Sequence, residues 1–386
     1  MIPIQGTINP EVVEGELTKL WRQSAGGNAR EVETGDERAL MRARVANLMV
    51  YVSEESAIID INPVLGELAL RHPCRALLMV GEATKADRDI EMFVSSFSHG
   101  RGKTGDRRLC CEEVTLTARG RFAVELPSAT LPLLVPDLPV FLWWSDELKL
   151  NDKVFSQLEH RADRVIIDSA EFQDTGRQMA ALLVWLKSED EDKAAISDLN
   201  WARLTSWRAL LAGCFDSPQT RAALDQIASM RIEYAANEAA PEALAPQALL
   251  IAGWLASRLD WKVDSPVNQL ARGGESRTVR FEKDGRRIDA EFIQVERPQL
   301  KPGRLASITL VIESPAASTF AVRRSEDGKY LETAVTQDDQ INQSRISPVR
   351  NRSAAELLGR EMEIVCRDLL YEDAILKADE IVSWHF

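Results

Sequence analysis

The side chains able to do chemistry are few in this sequence. Histidine occurs at His72, His99, His160 and His385, with no H-x-x-x-H or H-E-x-x-H spacing. His72 and Cys74 are two apart and would share a face of a strand. That suits a Cys–His nucleophile, but Pro73 lies between them and nothing nearby orients the imidazole. A structural turn entering a strand is the simpler account. Vicinal Cys110 and Cys111 point to opposite faces of a strand, one as a small buried hydrophobe. A redox switch there would need a resolving thiol, and none is evident. Carboxylates pair at Glu112/Glu113 and Asp146/Glu147. The second pair follows an apolar strand, at the end where open α/β sheets bind ligands. Asp146 is thus a candidate general acid or base, set against a helix start or a surface loop.

The nucleotide motifs fail. "HGRGKTGD" contains Gly102-Lys103-Thr104, but a P-loop needs glycine where Phe97 stands, and the flanks read as a hairpin. The stretch reads as a basic loop, with docking of an acidic partner as the alternative. No G-x-G-x-x-G occurs; Gly81 stands alone after "RALLMV". No cofactor site is expected.

Tryptophan is the more informative residue, with nine in all. Trp143 and Trp144 end the run "PDLPVFLWW", and adjacent strand residues point to opposite faces. One is expected under a covering helix, and the other on the opposite face or at the lip of the strand end. Tryptophan is enriched at interface hot spots. The stretch "DLNWARLTSWRALLAGCF", residues 198 to 215, is equally dense. Thr205 is placed to cap a helix beginning at Ser206. Trp207, Leu210, Leu211 and Cys214 form an apolar stripe, which Trp201 and Leu204 extend. Core helix is the default reading. Asn200, Arg203 and Arg208 beside Trp201 and Trp207 also make a recognition surface, so these five residues with Trp143 and Trp144 are the candidate partner contacts.

The elements that must position these residues follow from periodicity. Residues 10–23 form a helix, 45–52 a strand and 54–70 a helix. "CRALLMV" is a buried strand, residues 89–117 a long hairpin, and 122–134 a helix. "PVFLWW" and "DRVIID" are buried strands, with helices over 152–161 and 176–187. Short apolar strands alternating with helices imply a mostly parallel sheet covered by helices. "KSEDEDK" reads as a solvated boundary, dividing an α/β domain (1–190) from an α+β domain (191–386). The second domain is helical over 198–229, carries a strand at "RIEYAA" and an apolar helix at "ALLIAGWLASRLDW". It continues as an antiparallel sheet from about 277 to 347, with Asp284-Gly285 as one hairpin turn. Helices over 354–377 close it.

Composition bounds the partners. A net charge of −13 argues against nucleic acid and anionic membranes. Five cysteines with no C-x-x-C argue against a disulfide framework or a zinc site and suit a reducing cytosol. "MIPIQGTINP" has no basic segment followed by an apolar run, and no apolar stretch is long enough to span a membrane.

Most of the chain resembles the OpcA family, the glucose-6-phosphate dehydrogenase assembly proteins of cyanobacteria and other bacteria. The resemblance rests on "LLVPDLPVFLWW", "ADRVIIDS" and above all "DLNWARLTSWRALL". "HPCRALLMV", "CCEEVTL" and "LLIAGWLASRLDW" add looser matches in the expected order. The family form has proline where Ser206 stands, and either residue suits a first helical position. The resemblance implies a non-enzymatic cytoplasmic protein that binds glucose-6-phosphate dehydrogenase and favours its active, assembled form. In some members cysteine redox state tunes the effect, and no motif assigns that role to a cysteine of this chain. The alternative from the residues alone is an enzyme or sensor that binds a sugar phosphate or nucleotide at the strand ends of the first sheet.

Overall fold

The structure, a computed structural model, describes residues 2–4, 9–24, 44–99, 108–149, 151–188, 193–237, 243–265, 276–313, 317–337, 340–364 and 366–382. The basic loop after His99 lies outside the described residues, as do the side chains of Cys110 and Cys111.

The chain begins with β1 (Ile2–Ile4) and α1 (Pro10–Ser24), then β2 (Ala46–Val52), buried at every position. A short turn leads to α2 (Ile58–Leu68) and to β3 (Cys74–Glu82), also buried throughout. The expected hairpin is β4 (Arg88–His99) with β5 (Arg108–Arg119). The helix expected over 122–134 is broken. Two 3₁₀ turns flank α3 (Leu126–Thr130), because Pro127 and Pro132 each remove a backbone donor. Then follow β6 (Val140–Trp144), α4 (Lys153–Glu159), β7 (Arg164–Ile167), α5 (Thr175–Leu186) and β8 (Ala195–Asp198). Asp152 caps α4 by accepting from the N–H groups of Val154 and Phe155.

Beyond these come α6 (Leu199–Arg203), α7 (Thr205–Gly213), α8 (Pro218–Arg221), β9 (Ile227–Ala235) and α9 (Pro246–Arg258). Strands β10 (Lys262–Ser265), β11 (Ser276–Lys283), β12 (Arg286–Val295), β13 (Leu305–Ile312), β14 (Ser318–Arg324), β15 (Tyr330–Gln337) and β16 (Gln340–Pro348) succeed one another. The last helices are α10 (Ala354–Glu363) and α11 (Leu369–Val382). No described helix is long and apolar enough to cross a membrane.

Two compact units result, and they are interleaved rather than divided by one cut near residue 190. The first takes residues 1–167, 190–197 and 352–367; the second takes 168–189, 198–351 and 368–386. The first unit holds a sheet of order β1-β4-β5-β3-β2-β6-β7-β8. From β5 to β7 neighbouring strands run parallel, while β4 and β1 add antiparallel pairs at one side. After β2 the chain moves outward through β3 to β5, then returns to lay down β6, β7 and β8 on the other flank. The reversal puts a crevice between the carboxyl ends of β2 and β6, the usual ligand position in a doubly wound sheet. Helix α10 packs on α2, where Ser353 Oγ donates to Glu67 and Arg71 pairs with Glu356.

The second unit holds a sheet of order β10-β11-β12-β9-β13-β14-β15-β16, antiparallel except where β12 runs parallel to β9. Asp284 (φ 50°) and Gly285 (φ 76°) make the expected hairpin turn between β11 and β12. The expected α/β and α+β classes are therefore both present. Phe281, Phe292 and Phe320 fill the sheet's buried face, with Trp261 5.5 Å from Phe281 and Phe215 4.5 Å from Phe320. Helices α9 and α11 cross at Gly253, where an added Cβ would overlap the carbonyl oxygen of Ala374. Gly253→Ala is expected to cost about 1–3 kcal/mol by overpacking, read as a lower urea midpoint at unchanged slope.

Candidate functional site

Both expected locations can be built from their residues. At the crevice of the first unit, Trp144 stacks on Tyr51 at 4.3 Å with 7° between the rings, and Phe155 from α4 meets it edge-on at 5.0 Å. Trp144 Nε1–H donates to the Glu147 carbonyl (3.4 Å), and Ser53 Oγ donates to Asp146 (2.7 Å). Tyr51 lies over Gly81, whose missing Cβ makes room for the phenol. Burial first, then the charges of Asp146 and Asp152, raise the Tyr51 pKa well above the usual phenol range. Asp146 is thus held by a serine, and among the described residues no histidine is bonded to it.

A nucleotide fits this crevice poorly. Phosphate binding there needs open backbone N–H groups and usually glycine in the first strand-to-helix turn. This turn reads Ser53-Glu54-Glu55-Ser56. The Glu55 N–H is directed to Glu82, which also takes Arg119 (2.7 Å) and Lys85 (3.0 Å). Burial opposes the charge of Glu82, but the bonds from Lys85 and Arg119 outweigh it and hold the carboxyl below its usual range. A pyrophosphate would face Glu54, Glu55 and Asp146, so the residues present do not fit a dinucleotide.

The other carboxylate pair is structural. Glu112 is buried against Arg75 (2.9 Å) and Arg44 (2.8 Å). Burial raises the Glu113 pKa, and Thr115 donates to that carboxylate at 2.8 Å. Arg44, Arg75, Glu14, Val13 and Leu133 line a cavity of about 270 Å³ in which both cations are already paired. Among the described residues no group of three His, Cys, Asp or Glu side chains could hold a metal ion.

In the second unit the stretch from Asp198 to Arg208 organises a buried polar network. Asp198, 1% exposed, accepts from the Ser169 N–H (3.0 Å), Ser169 Oγ (2.6 Å), the Asn200 N–H (2.8 Å) and the Tyr371 hydroxyl (3.4 Å). Asn200 donates to Ser169 and accepts from Gln247 (2.8 Å), which in turn takes the Leu305 N–H at the start of β13. Burial, then the nearby charge of Asp168, push the Asp198 carboxyl up to about 6. Burial and Asp198 push Tyr371 well above its usual range. Arg203 grips Asp168 with two parallel bonds (2.6 and 2.7 Å), the bidentate form in which arginine–carboxylate pairs are strongest. Trp201 Nε1–H donates to Asp368 (2.8 Å), and the Arg208 guanidinium lies 3.5 Å over the Trp201 ring.

The capping expectation is corrected: α7 begins at Thr205 itself, whose hydroxyl donates back to Ala202, and the side-chain cap belongs to Asp198 at the head of α6. The surface role expected for one of the adjacent tryptophans is also corrected. Trp143 and Trp144 do face opposite sides of β6, yet they are 5% and 2% exposed, because β6 lies between β2 and β7 with both faces covered. Asn200, Trp201 and Trp207 are equally buried, and only Arg203 and Arg208 of the candidate set reach toward solvent. Sequence reasoning missed Ser169, Gln247, Asp368 and Tyr371: Ser169 ends the stretch "ADRVIIDS" without being singled out there, and all four lie far along the chain from Asp198 to Arg208.

Two family models match the chain. One, described as the glucose-6-phosphate dehydrogenase subunit N-terminal domain, covers residues 66–183; the other, the C-terminal domain of the same subunit, covers 194–375. Curated relatives include two proteins named as candidate OxPP cycle proteins, OpcA. That of Nostoc punctiforme is 29% identical over 97% of this chain and 79% of its own length. That of Synechococcus elongatus is 29% identical over 80% of this chain and 67% of its own length. Among solved structures, an oxidoreductase from Sinorhizobium meliloti is 14% identical with a TM-score of 0.42, covering 88% of each chain. A dehydrogenase from Clostridium difficile is 7% identical with a TM-score of 0.43, over 88% of this chain and 97% of its own. Likeness this distant says nothing about chemistry.

Proposed function

The chain belongs to the OpcA family of glucose-6-phosphate dehydrogenase subunits, and from that premise we propose that it is a non-catalytic assembly factor and allosteric activator of glucose-6-phosphate dehydrogenase. The match of both family models in order carries this reading. It is supported by a doubly wound sheet whose strand-end turn carries Glu54 and Glu55, and whose Glu55 N–H is already directed to Glu82, where a nucleotide phosphate would need open N–H groups. In the cytoplasm such a factor would raise NADPH production through the oxidative pentose phosphate pathway.

An effector acts only through contacts made better with one state of its partner. A preference of about 1–3 kcal/mol changes affinity roughly 5- to 150-fold. The partner-facing candidates are Arg203 and Arg208, with Trp201, Trp207, Asn200, Trp143 and Trp144 acting from beneath as rigid support. Arg208 is the sharper of the two. Its guanidinium rests on Trp201 as a pre-positioned cation, at low entropic cost to a partner that meets it.

The test is a titration of glucose-6-phosphate dehydrogenase from the same organism with this chain, the chain alone being assayed as control. A saturable fall in KM or rise in kcat supports the proposal, whereas no change under reducing and oxidising conditions refutes it. Turnover by the chain alone would favour the enzyme reading. Arg208→Ala is expected to weaken activation on the order of tenfold, since charged interface residues carry up to several kcal/mol. Stability should change by no more than about 1 kcal/mol, as expected for loss of a partly exposed cation–π contact. Equal losses of stability and activation would make Arg208 a core residue only.

A further inference from the structure

Along β13 to β16 the two sides of the second sheet differ. One side carries Phe320, Val322, Leu331 and Val335, all buried, with Phe215 4.5 Å from Phe320 and Trp207 of α7 against Arg324. Strand register fixes the other side row by row. Val311 stands beside Thr319, Thr336 and Ile341. Thr309 stands beside Ala321, Ala334 and Ser344, and Ser307 beside Arg323, Glu332 and Ile346. A register shift between Val335 and Thr336 brings Ile341 and Ile346 to the same side, where a regular strand would part them. Ile341 is 69% exposed and Ile346 66%. Of these rows only Ser307 and Ala321 are buried, both small.

Charge divides this open face. Toward β11 and β12 it carries matched pairs, Arg231 with Glu291 (3.0 Å) and Arg280 with Asp289 (3.5 Å). The rows from β13 to β16 hold one cation, Arg323, and one anion, Glu332, both exposed. They are neighbours across β14 and β15, yet among the described residues neither makes an ion pair or a side-chain hydrogen bond. A chain of net −13 repels its own copy, but this half of the face has no net charge. Its four strands, about 4.8 Å apart and about 26 Å long, offer roughly 500 Å², or about 1,000 Å² over two copies, the lower bound for a specific interface.

We propose that the open face of β13–β16 pairs two copies of this chain, sheet on sheet, about a two-fold axis running along the strands between β14 and β15. Sheets packed in this way lie about 10 Å apart with their strands within about 30°. The axis lays β14 of one copy over β15 of the other. It sets Arg323 of each copy against Glu332 of the other, so both unpaired charges find partners. It also lays Val311 over Ile341, Ala321 over Ala334 and Thr319 over Thr336. A second copy meets these needs by symmetry, whereas an unrelated protein would have to supply both charges at the same spacing. Helix α7 with Arg208 lies on the far side of the same strands and is left uncovered. On the function proposed above, the pair meets its partner at two points. The pairing itself does not depend on that function.

The experiment is sedimentation velocity of the full chain over a wide concentration range, in which a monomer is expected to pass to a dimer. Arg323→Glu and Glu332→Arg each set like charges across the axis and are expected to weaken the dimer on the order of tenfold or more. Mixed together, the two variants are expected to recover it as a heterodimer, because each then meets opposite charges. Ala334→Arg, which obstructs the face and leaves the β16 edge intact, is expected to abolish pairing. A wild-type chain that is monomeric throughout overturns the proposal, as does a dimer indifferent to these substitutions or a mixture that stays monomeric. If the chain stays monomeric while Ala334→Arg weakens binding to glucose-6-phosphate dehydrogenase, the face belongs to that enzyme and not to a second copy. If Ala334→Arg does not fold, the charge variants and their mixture decide.

Discussion

Asp198→Ala is expected to destabilise the second unit by about 3–5 kcal/mol, the range for breaking a buried, multiply bonded charged group. The substitution strips acceptors from the Ser169 N–H and hydroxyl, the Asn200 N–H and the Tyr371 hydroxyl at once. Each buried donor left unpaired costs about 1–3 kcal/mol before relaxation. Urea denaturation reads the loss, and a change under about 1 kcal/mol would mean that water replaces the carboxylate, contrary to its burial.

The same residue makes stability depend on pH. Its folded pKa, about 6, lies above the ordinary aspartate value of 3.8. Between those values the folded chain holds a proton that the unfolded chain has released. Stability from this group is therefore greatest below the unfolded pKa and falls as pH rises through the folded one. Every tenfold difference in proton affinity between the two states is worth about 1.4 kcal/mol. The stability difference between wild type and Asp198→Asn should thus move in favour of wild type as pH falls from 7 to 5. Taking the difference cancels the other carboxylates, and a difference independent of pH would refute the assignment.

Glu112→Ala is the second large loss, expected at about 3–5 kcal/mol because it leaves a buried arginine without its main counter-ion. Arg75 is 3% exposed and gives Glu112 two of its bonds (2.9 and 3.2 Å), while Leu133 and the more exposed Glu14 take the others. The first sheet offsets that charge with Glu112, which Arg44 also reaches. The Arg75→Met/Glu112→Leu double variant, which removes both members, should recover most of the loss, since buried pairs are often replaced by apolar residues without net cost. If the double variant is no more stable than Glu112→Ala, the cost lies in lost packing rather than in the stranded charge.

These residues also show where sequence is informative. β6 and the β4–β5 hairpin are legible because the period of side-chain burial is local, and Asp284-Gly285 because a two-residue turn needs positive φ at both positions. β1, β8 and β10 are not legible; they have three or four residues each, too few for a periodic signal to develop, and β1 is held by pairing with β4, distant in sequence. The Asp198–Trp201 stretch stands out in sequence as unusual. Its role as a buried hub does not, since that depends on Ser169, Gln247 and Tyr371 arriving from three other segments. Opposite facing of Trp143 and Trp144 follows from strand geometry, but their common burial depends on β6 being internal, a matter of strand order.

The interleaving of the two units carries a consequence in time. During synthesis the first 167 residues emerge with most of the parallel sheet, but α10, which covers α2, belongs to the segment 352–367. At about 5–20 residues per second the ribosome needs on the order of ten seconds or more to travel from residue 197 to that helix. Throughout that interval the face of α2 on which α10 packs, marked by Glu67 and by Arg71 just beyond it, awaits a cover still to be translated. The first unit is therefore completed only when nearly the last helix is made, and residues 1–197 expressed alone are expected to be less stable to urea than the same unit in the full chain.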